Sequence, residues 1–343
     1  MQSVLQSTTG IGPKPVQPDD LSGRTAVVVG GAFGIGFEVS RALANAGCRV
    51  IMVNRKQEQG EDARATIEAE SPGAQVEWHE CDMGNLAQVR SVFTRLREEL
   101  LHGKEEEGGS SGRLDYVVLS AGINANEFGR DHDNIDRHFG VNYLGQFYVV
   151  NLLWPLLRKT AKSARVPADG PRVVFEASEV YRAAPANVHF ASLEEINDES
   201  LGPTELYART KLALILLTKY GLAGKVIKEN EDNILAVSVH PGAVNTSMQQ
   251  QWKDAYPGLT GKLLSWAMLA FGRDVKQGSY SALWALTSDK VQNGWYYSDP
   301  DQPGKESSQA SDPNLGEALW ELSHRIIKEK LGEDSLIDWK ECA

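Results

Sequence analysis

A tyrosine and a lysine stand four residues apart in the stretch LYARTKLALILLTKYG, as Tyr207 and Lys211. The stretch has a helical pattern, so both side chains should project from one face, one turn apart. A tyrosine with its ordinary pKa of about 10 is a poor acid–base catalyst at neutral pH, whereas a neighbouring ammonium favours the phenolate. The pair could therefore transfer protons, although the same spacing is common on amphipathic surface helices.

A glycine cluster lies earlier, in VVVGGAFGIGFEVSRALANAG, where a predicted strand meets a predicted helix. Gly30, Gly34 and Gly36 are spaced one residue wider than the usual dinucleotide fingerprint. In this setting the first glycine allows the turn, the second lets backbone amides approach a pyrophosphate, and the third lets the helix pack against the strand. A turn that binds nothing is the alternative, but the strand–turn–helix context favours a nucleotide site.

Two further positions refine that site. Asn54, at the end of the second predicted strand, stands where an acid would bind the ribose 2′-hydroxyl of NAD, and Arg55 follows it. A cation without an acid favours a 2′-phosphate and hence NADP(H), with an ordinary surface arginine as the alternative. Ser178 ends another predicted strand, at the sheet edge where ligands bind.

These residues require an α/β framework. Strands rich in Val and Ile alternate with helical patterns along the chain, which predicts a Rossmann-type, doubly wound parallel sheet in a single domain over residues 21–300. An irregular arm is predicted for 1–20, and a C-terminal extension with an amphipathic helix, LGEALWELSHRIIKEKL, for 301–343. The polar inserts at 102–113 and 159–170 are predicted to be surface loops.

Composition limits the partners and the compartment. The 343-residue chain carries a net charge of −11, which argues against nucleic acid as a partner. Cys48, Cys81 and Cys342 give neither a disulfide framework nor a zinc-ligand spacing, so we expect no metal and a cytoplasmic location. The first 20 residues lack a signal-peptide pattern. The apolar stretch 263–271 is too short to span a bilayer, so it predicts no integral membrane segment but a buried or lid helix, or else one resting on a membrane.

In these motifs the chain resembles the short-chain dehydrogenase/reductase family over about residues 22–300, and within it the retinol dehydrogenase-like members, especially fungal ones. The matching motifs are GGAFGIG, CDM at 81–83, SAG at 120–122, VNYLGQF with Asn142, Ser178, YARTK, and HPGAVNT at 240–246. The chain departs from the family pattern at Gly30, where relatives carry Thr, and at Ser120, where they carry Asn.

The resemblance implies a hydride transfer between NADP(H) and a carbonyl/alcohol pair. Tyr207 would exchange a proton with the substrate oxygen, Ser178 would hydrogen-bond that oxygen, Lys211 would hold the nicotinamide ribose and lower the tyrosine pKa, and Asn142 would fix a water leading to solvent. His240 would be structural. The resemblance further implies a cofactor site formed by Gly30, Gly34, Ile35, Gly36, Arg55, Asp82, Met83, Ala121, Gly122, Tyr207, Lys211, Pro241, Gly242, Val244 and Thr246.

Some alternatives stay open at this point. The interval from Ser178 to Tyr207 is longer than is usual in the family, which leaves Ser192 as a fallback for the serine. Trp252, Tyr256 and Trp266 follow in a predicted lid and suggest a bulky hydrophobic substrate, for example an intermediate of secondary metabolism, unless they only pack the lid. An isomerase or cyclase without net redox, and a non-catalytic nucleotide-binding protein, are the other functions considered. Apolar helices at about 142–157 and 207–217 leave open a homodimer of the kind formed by relatives.

Overall fold

The computed structural model describes residues 13–102, 112–164, 169–244 and 272–343. Thr246, the aromatic lid residues Trp252, Tyr256 and Trp266, and the apolar stretch 263–271 therefore lie outside the described residues. The same holds for most of the insert at 102–113 and for part of the insert at 159–170.

The centre of the protein is an eight-stranded sheet in the order β3-β2-β1-β4-β5-β6-β7-β8. All neighbouring strands are parallel except β7 and β8. The strands are β1 (Thr25–Val29), β2 (Arg49–Asn54), β3 (Val76–Glu80), β4 (Tyr116–Leu119), β5 (Arg172–Glu176), β6 (Leu235–Val239), β7 (Tyr296–Asp299) and β8 (Gln302–Pro303). The predicted doubly wound α/β sheet is thus confirmed, with its order reversing between β1 and β4, where such sheets bind ligands.

Helices cover both faces of this sheet. They are α1 (Gly34–Asn45), α2 (Gln57–Glu70), α3 (Leu86–His102), α4 (Arg137–Phe139), α5 (Gly145–Ser163), α6 (Leu193–Ile196), α7 (Pro203–Leu216), α8 (Lys228–Asn230), α9 (Val275–Thr287) and α10 (Pro313–Leu331). π-helical segments at Gly140–Leu144 and Leu217–Ile227 join α4 to α5 and α7 to α8, and 3₁₀ turns lie at Glu179–Ala183 and Glu333–Ser335.

Strand β1 shows why the strands are apolar throughout. All five of its residues are buried. Val27 and Val29 pack into the core on one face of the sheet, while Ala26 and Val28 pack into the core on the other. A strand covered on both faces cannot alternate apolar with polar residues, which explains its run of valines.

The C-terminal residues cover helix α5. The side-chain amide of Asn151 makes two hydrogen bonds of 2.9 Å with the Ile337 backbone: its Nδ2 donates to the carbonyl oxygen, and its Oδ1 accepts from the nitrogen. The Tyr148 hydroxyl donates to the carbonyl of Ser335 at 2.9 Å, and the Trp154 and Trp339 rings are 5.4 Å apart. Part of the helical surface considered for a homodimer is therefore occupied by the chain's own C-terminal segment.

The insert predicted as a loop from residue 159 begins later than expected. Helix α5 continues to Ser163 because Thr160 is buried and its hydroxyl accepts a hydrogen bond from the Leu114 backbone at 2.9 Å. Within the described part of the chain, no helix is both long and apolar enough to cross a membrane.

Candidate active site

The glycine turn between β1 and α1 has little room for side chains. Gly30 has φ of 82°, and a Cβ there would lie 2.6 Å from the Ala121 nitrogen. A Cβ on Gly36 would overlap the Gly30 carbonyl oxygen. Gly34 differs, because it has φ of 58° and a Cβ there would meet no described atom within 4 Å. Gly30 and Gly36 thus serve close packing, and Gly34 serves the left-handed turn that begins α1.

The N-terminus of α1 has the properties of an anion site. Phe33 at the N-cap makes no side-chain capping hydrogen bond with the described residues, and the first turn contains no acidic residue. The first N–H groups of a helix lack partners within the helix and carry a partial positive charge. Ile35 lies in this turn. The turn and helix together therefore fit the pyrophosphate of a dinucleotide.

Arg55 and Asp82 meet at the ends of β2 and β3. Arg55 Nη1 lies 3.8 Å from Asp82 Oδ2, and the arginine side chain is 61% exposed. Asp82 Oδ1 accepts from the Gly84 nitrogen at 2.9 Å, and Met83 between them is buried. The structure thus brings these predicted residues together and leaves the guanidinium accessible. The Asn54 amide is engaged elsewhere, with the Trp78 indole and the Lys56 carbonyl.

Helix α7 carries Tyr207 and Lys211 into the interior. Pro203 begins the helix, and the Glu205 carboxylate accepts from the Gly202 nitrogen at 3.0 Å, which fixes its N-terminus. Tyr207 and Lys211 are both buried, and the ammonium lies 5.5 Å from the centre of the tyrosine ring. The predicted shared face is therefore present.

Asn142 ties α7 to the segment after β4. It lies in the π-helical turn, fully buried, and its Oδ1 accepts from the Ile123 nitrogen at 2.7 Å. Its Nδ2 donates to the Ile123 carbonyl at 2.9 Å and to Thr210 Oγ1 at 3.2 Å. A Cβ on Gly122 would lie 3.4 Å from Asn142 Oδ1 and 4.0 Å from Lys211 Nζ, so these three predicted residues form one group.

Ser178 follows β5 at the same edge. Its Oγ accepts from the Val180 nitrogen at 3.2 Å and caps the 3₁₀ turn, which packs against α7. The fallback Ser192 instead caps α6, where its Oγ accepts from the Glu195 nitrogen at 3.3 Å. Ser178 thus follows a strand of the sheet, whereas Ser192 begins a short helix that Arg209 of α7 contacts at 3.0 Å.

The segment after β6 is held by structural contacts. The His240 nitrogen donates to the Tyr297 carbonyl at 2.8 Å, and burial lowers the pKa of His240 to about 4, so the ring is neutral at pH 7. Arg273, which pairs with Asp299 at 2.7 Å, donates to the Pro241 carbonyl at 3.2 Å. Val244, the last described residue before Thr246, pairs with Arg273 in an isolated β-bridge. His240 thus has the environment of a structural residue.

The expected lowering of the Tyr207 pKa by Lys211 is wrong for this structure. Burial raises the pKa of Tyr207, and the Glu176 carboxylate raises it further. Burial also lowers the pKa of Lys211, and its ammonium donates to the Glu176 carbonyl oxygen at 2.6 Å. The sequence argument considered the lysine alone and omitted the desolvation of both groups, which is the larger effect.

Sequence reasoning missed Glu176. It ends β5, is buried, and accepts a hydrogen bond of 2.9 Å from Ser120 Oγ. The one signal was a glutamate directly after the apolar run VVF. Ser120, noted in the sequence only as a departure from the family pattern, is its partner.

A glycine turn of the dinucleotide-binding type and a buried Tyr–Lys pair thus lie at one edge of a doubly wound sheet. Residues 24–167 match the family model described as short chain dehydrogenase. Over that segment, which is less than half of the chain, the protein is therefore similar to short-chain dehydrogenases.

Curated relatives align over most of the chain. "Putative oxidoreductase bli-4, mitochondrial" of Neurospora crassa is 29% identical, covering 91% of this chain and 73% of its own length. Human polyprenol dehydrogenase is 25% identical, covering 90% and 85%. Mouse retinol dehydrogenase 14 is 27% identical, covering 90% and 87%. The relatives thus include a fungal protein and mammalian enzymes.

Solved structures show the same fold. A crystal structure of an uncharacterized protein from Mycobacterium paratuberculosis has a TM-score of 0.64 at 24% identity, covering 90% of this chain and 94% of its own. YwfH, described as an NADPH-dependent reductase involved in bacilysin biosynthesis, has a TM-score of 0.61 at 16% identity, covering 83% and 100%. At these identities the likeness concerns the fold alone.

Proposed function

We propose that the protein is an NADP(H)-dependent oxidoreductase that transfers a hydride between the nicotinamide and a bulky hydrophobic carbonyl/alcohol pair. The observation that carries this proposal is the hydrogen bond from Lys211 Nζ to the Glu176 carbonyl. This hydrogen bond holds the helix that carries Tyr207 and Lys211 at the end of β5, next to Ser178. It also places the helix beside the hydrogen-bonded Ser120–Glu176 pair, which borders the glycine turn.

The cofactor would lie along the edge just described, and when bound it would supply or accept the hydride. The N–H groups at the start of α1 would bind its pyrophosphate, and Gly30 and Gly36 would keep that approach clear. Lys211, buried beside Gly122 and Asn142, would donate to the nicotinamide ribose. Asp82 and Met83 would contact the adenine end. Thr246 would complete the site from outside the described residues.

The chain's own residues handle the proton. Tyr207 is protonated at neutral pH, as a tyrosine with its ordinary pKa also would be, and would donate its proton to a carbonyl oxygen; burial raises its pKa and so makes it a weaker acid. Ser178 Oγ would donate a second hydrogen bond to that oxygen and hold it in place. Lys211 and Asn142 would then return a proton towards Tyr207. In the opposite direction the tyrosine must first lose its proton, which its raised pKa opposes.

Arg55 supports NADP(H) over NAD(H). Its guanidinium is mostly exposed beside Asp82 and is free to approach a 2′-phosphate, for which arginine has suitable geometry. The neighbouring Lys56 is a second exposed cation at this edge.

A hydrophobic substrate is supported by the relatives' names, since polyprenol and retinol are long apolar alcohols. The predicted lid adds to this argument through its aromatic residues. A cytoplasmic location and a role in secondary metabolism stay predictions, and one relative is named as mitochondrial.

The test combines binding with turnover. Purified protein is titrated with NADPH and with NADH, then assayed with either cofactor against bulky ketones, aldehydes and ring-closing precursors. We expect tighter binding of NADPH and carbonyl-dependent oxidation of it that Tyr207→Phe abolishes. Product formed without net NADPH oxidation would instead establish an isomerase or cyclase, and binding without any turnover would favour a nucleotide-binding protein.

A further inference from the structure

Glu176 contacts two parts of the site at once. Its Oε2 accepts from Ser120 Oγ at 2.9 Å, and its backbone carbonyl accepts from Lys211 Nζ at 2.6 Å. Its Oε1 is buried and has no hydrogen-bond partner among the described residues. A buried carboxyl group with a free oxygen is costly, so its position beside a buried ammonium calls for an explanation.

The Ser120–Glu176 pair lies between the glycine turn and the lysine. Ser120 Oγ is 3.1 Å from the position that a Cβ on Gly36 would occupy. On the other side, Lys211 Nζ is 4.0 Å from the corresponding position on Gly122. The carboxyl group is therefore placed among the same glycines that would receive the cofactor.

The charges of Glu176 and Lys211 depend on each other. Burial lowers the pKa of Lys211, and the Glu176 carboxylate opposes that shift. Burial raises the pKa of Glu176, and the Ser120 hydrogen bond and the Lys211 charge oppose it. The other titratable groups that interact with this pair, within the described ranges, are Tyr207 and His240. Burial thus shifts both groups towards their neutral forms; each charge opposes the shift of the other, and for Glu176 the Ser120 hydrogen bond opposes it more strongly.

We propose that Glu176 is a positioning residue: its backbone carbonyl fixes the Lys211 ammonium at the end of β5, and its carboxylate, which Ser120 helps to keep ionised, favours the charged form of that ammonium. The consequence for cofactor binding rests on the proposed function, since Lys211 is the group that would donate to the ribose. Affinity for the cofactor then falls at high pH as the lysine loses its proton, and at low pH as the glutamate gains one.

The first test needs no cofactor. Unfolding is measured for the wild type, Glu176→Gln, Lys211→Met and the double variant. Each single change leaves one buried charge uncompensated, so we expect the double variant to lose at least about tenfold less in its folding equilibrium constant than the two single losses combined. Strictly additive losses would overturn the proposal.

The second test follows NADPH binding by fluorescence as a function of pH. Glu176→Gln should move the alkaline decline to lower pH by about one unit, because the ammonium loses its counter-charge. Ser120→Ala should move the acidic decline to higher pH, and it serves as the probe if the glutamine variant does not fold. Glu80→Gln is the matched control, because Glu80 ends β3 at the same sheet edge but is exposed.

The two tests separate the two proposals. Unshifted pH profiles in both Glu176→Gln and Ser120→Ala would overturn the role of Glu176 even if NADPH binds well. A wild type that binds NADPH at no pH would contradict the proposed function instead, and the unfolding cycle would then decide the Glu176–Lys211 relationship by itself.

Discussion

The ammonium of Lys211 lies 5.5 Å from the centre of the Tyr207 ring, yet the acceptor of its hydrogen bond is the Glu176 carbonyl oxygen and not the phenol oxygen of Tyr207. Burial keeps the pKa of Tyr207 above its ordinary value. The free protein therefore holds a protonated tyrosine at neutral pH, as proton donation to a carbonyl requires.

At saturating NADP(H), carbonyl reduction should change little with pH through neutrality, since the phenol stays protonated, whereas alcohol oxidation should rise with pH as the phenol ionises. Tyr207→Phe should lower reduction by about 10²- to 10⁴-fold and leave NADPH affinity within about threefold, because it removes only the hydroxyl. Steady-state rates from pH 6 to 10 and fluorescence titration measure both effects. Alcohol oxidation that is fastest at pH 6 would contradict this account of the tyrosine.

Arg55→Ala should weaken NADPH binding about tenfold or more and leave NADH binding nearly unchanged. The exposed guanidinium can form charge-assisted hydrogen bonds with a 2′-phosphate, and NADH lacks that group. The control is Arg64→Ala, which removes a different exposed arginine, one that lies on helix α2. Equal losses for both cofactors would show that Arg55 does not select the phosphate.

Gly36→Ala and Gly34→Ala should differ sharply. A Cβ on Gly36 overlaps the Gly30 carbonyl, so α1 must shift, with a cost of about 1–3 kcal/mol and loss of NADPH binding. Gly34→Ala meets open space and should cost about 1 kcal/mol, from its positive φ alone. Denaturant unfolding and NADPH titration of both variants compare them directly. Similar effects of the two changes would refute the packing role assigned to Gly36.

Acid should destabilise the protein partly through His240. Its folded pKa of about 4 lies below the unfolded value, so its contribution is present above about pH 6.5 and is lost as the pH falls towards 4. The full loss is about 3 kcal/mol. His240→Asn should lose less stability than the wild type over this interval, as measured by denaturant unfolding at each pH. The exposed His189, changed to Asn, controls for the substitution, and parallel curves for wild type and His240→Asn would count against the assignment.

The C-terminal segment should keep the chain monomeric, because it occupies part of the helical surface that a second copy would need. Trp339 packs against Trp154 and Trp320, so Trp339→Ala should cost about 2–4 kcal/mol. Trp295→Ala, at a position 39% exposed, should cost less. Light scattering measures the mass of the protein in solution, and thermal unfolding measures the stability of each variant. A stable dimer of the full chain would show that this cover does not prevent association.

The fold could be predicted because its signals are local. Runs of valine such as AVVV are typical of strands in a sheet covered on both faces, and the helical pattern around Tyr207 and Lys211 puts both side chains on one face of the helix. The glycine turn could be predicted for the same reason, because the backbone geometry of a turn between a strand and a helix restricts which residues can form it. The candidate site residues that the sequence selected meet at one sheet edge, although their chemical roles remain predictions.

What only the tertiary structure decided depends on elements distant in the chain. The late end of α5 follows from the contact of Thr160 with Leu114, and the C-terminal cover follows from Ile337 meeting Asn151. The role proposed for Glu176 depends on its contacts with Ser120 and Lys211, which lie in two other parts of the chain and meet it only in the folded protein. The sequence by itself determined the sheet, the nucleotide-type turn and the Tyr–Lys face, because periodicity and backbone sterics act over a few residues. Burial and electrostatic partners, and with them the direction in which the pKa of Tyr207 shifts, were decided by the tertiary structure, because desolvation depends on everything packed around a group.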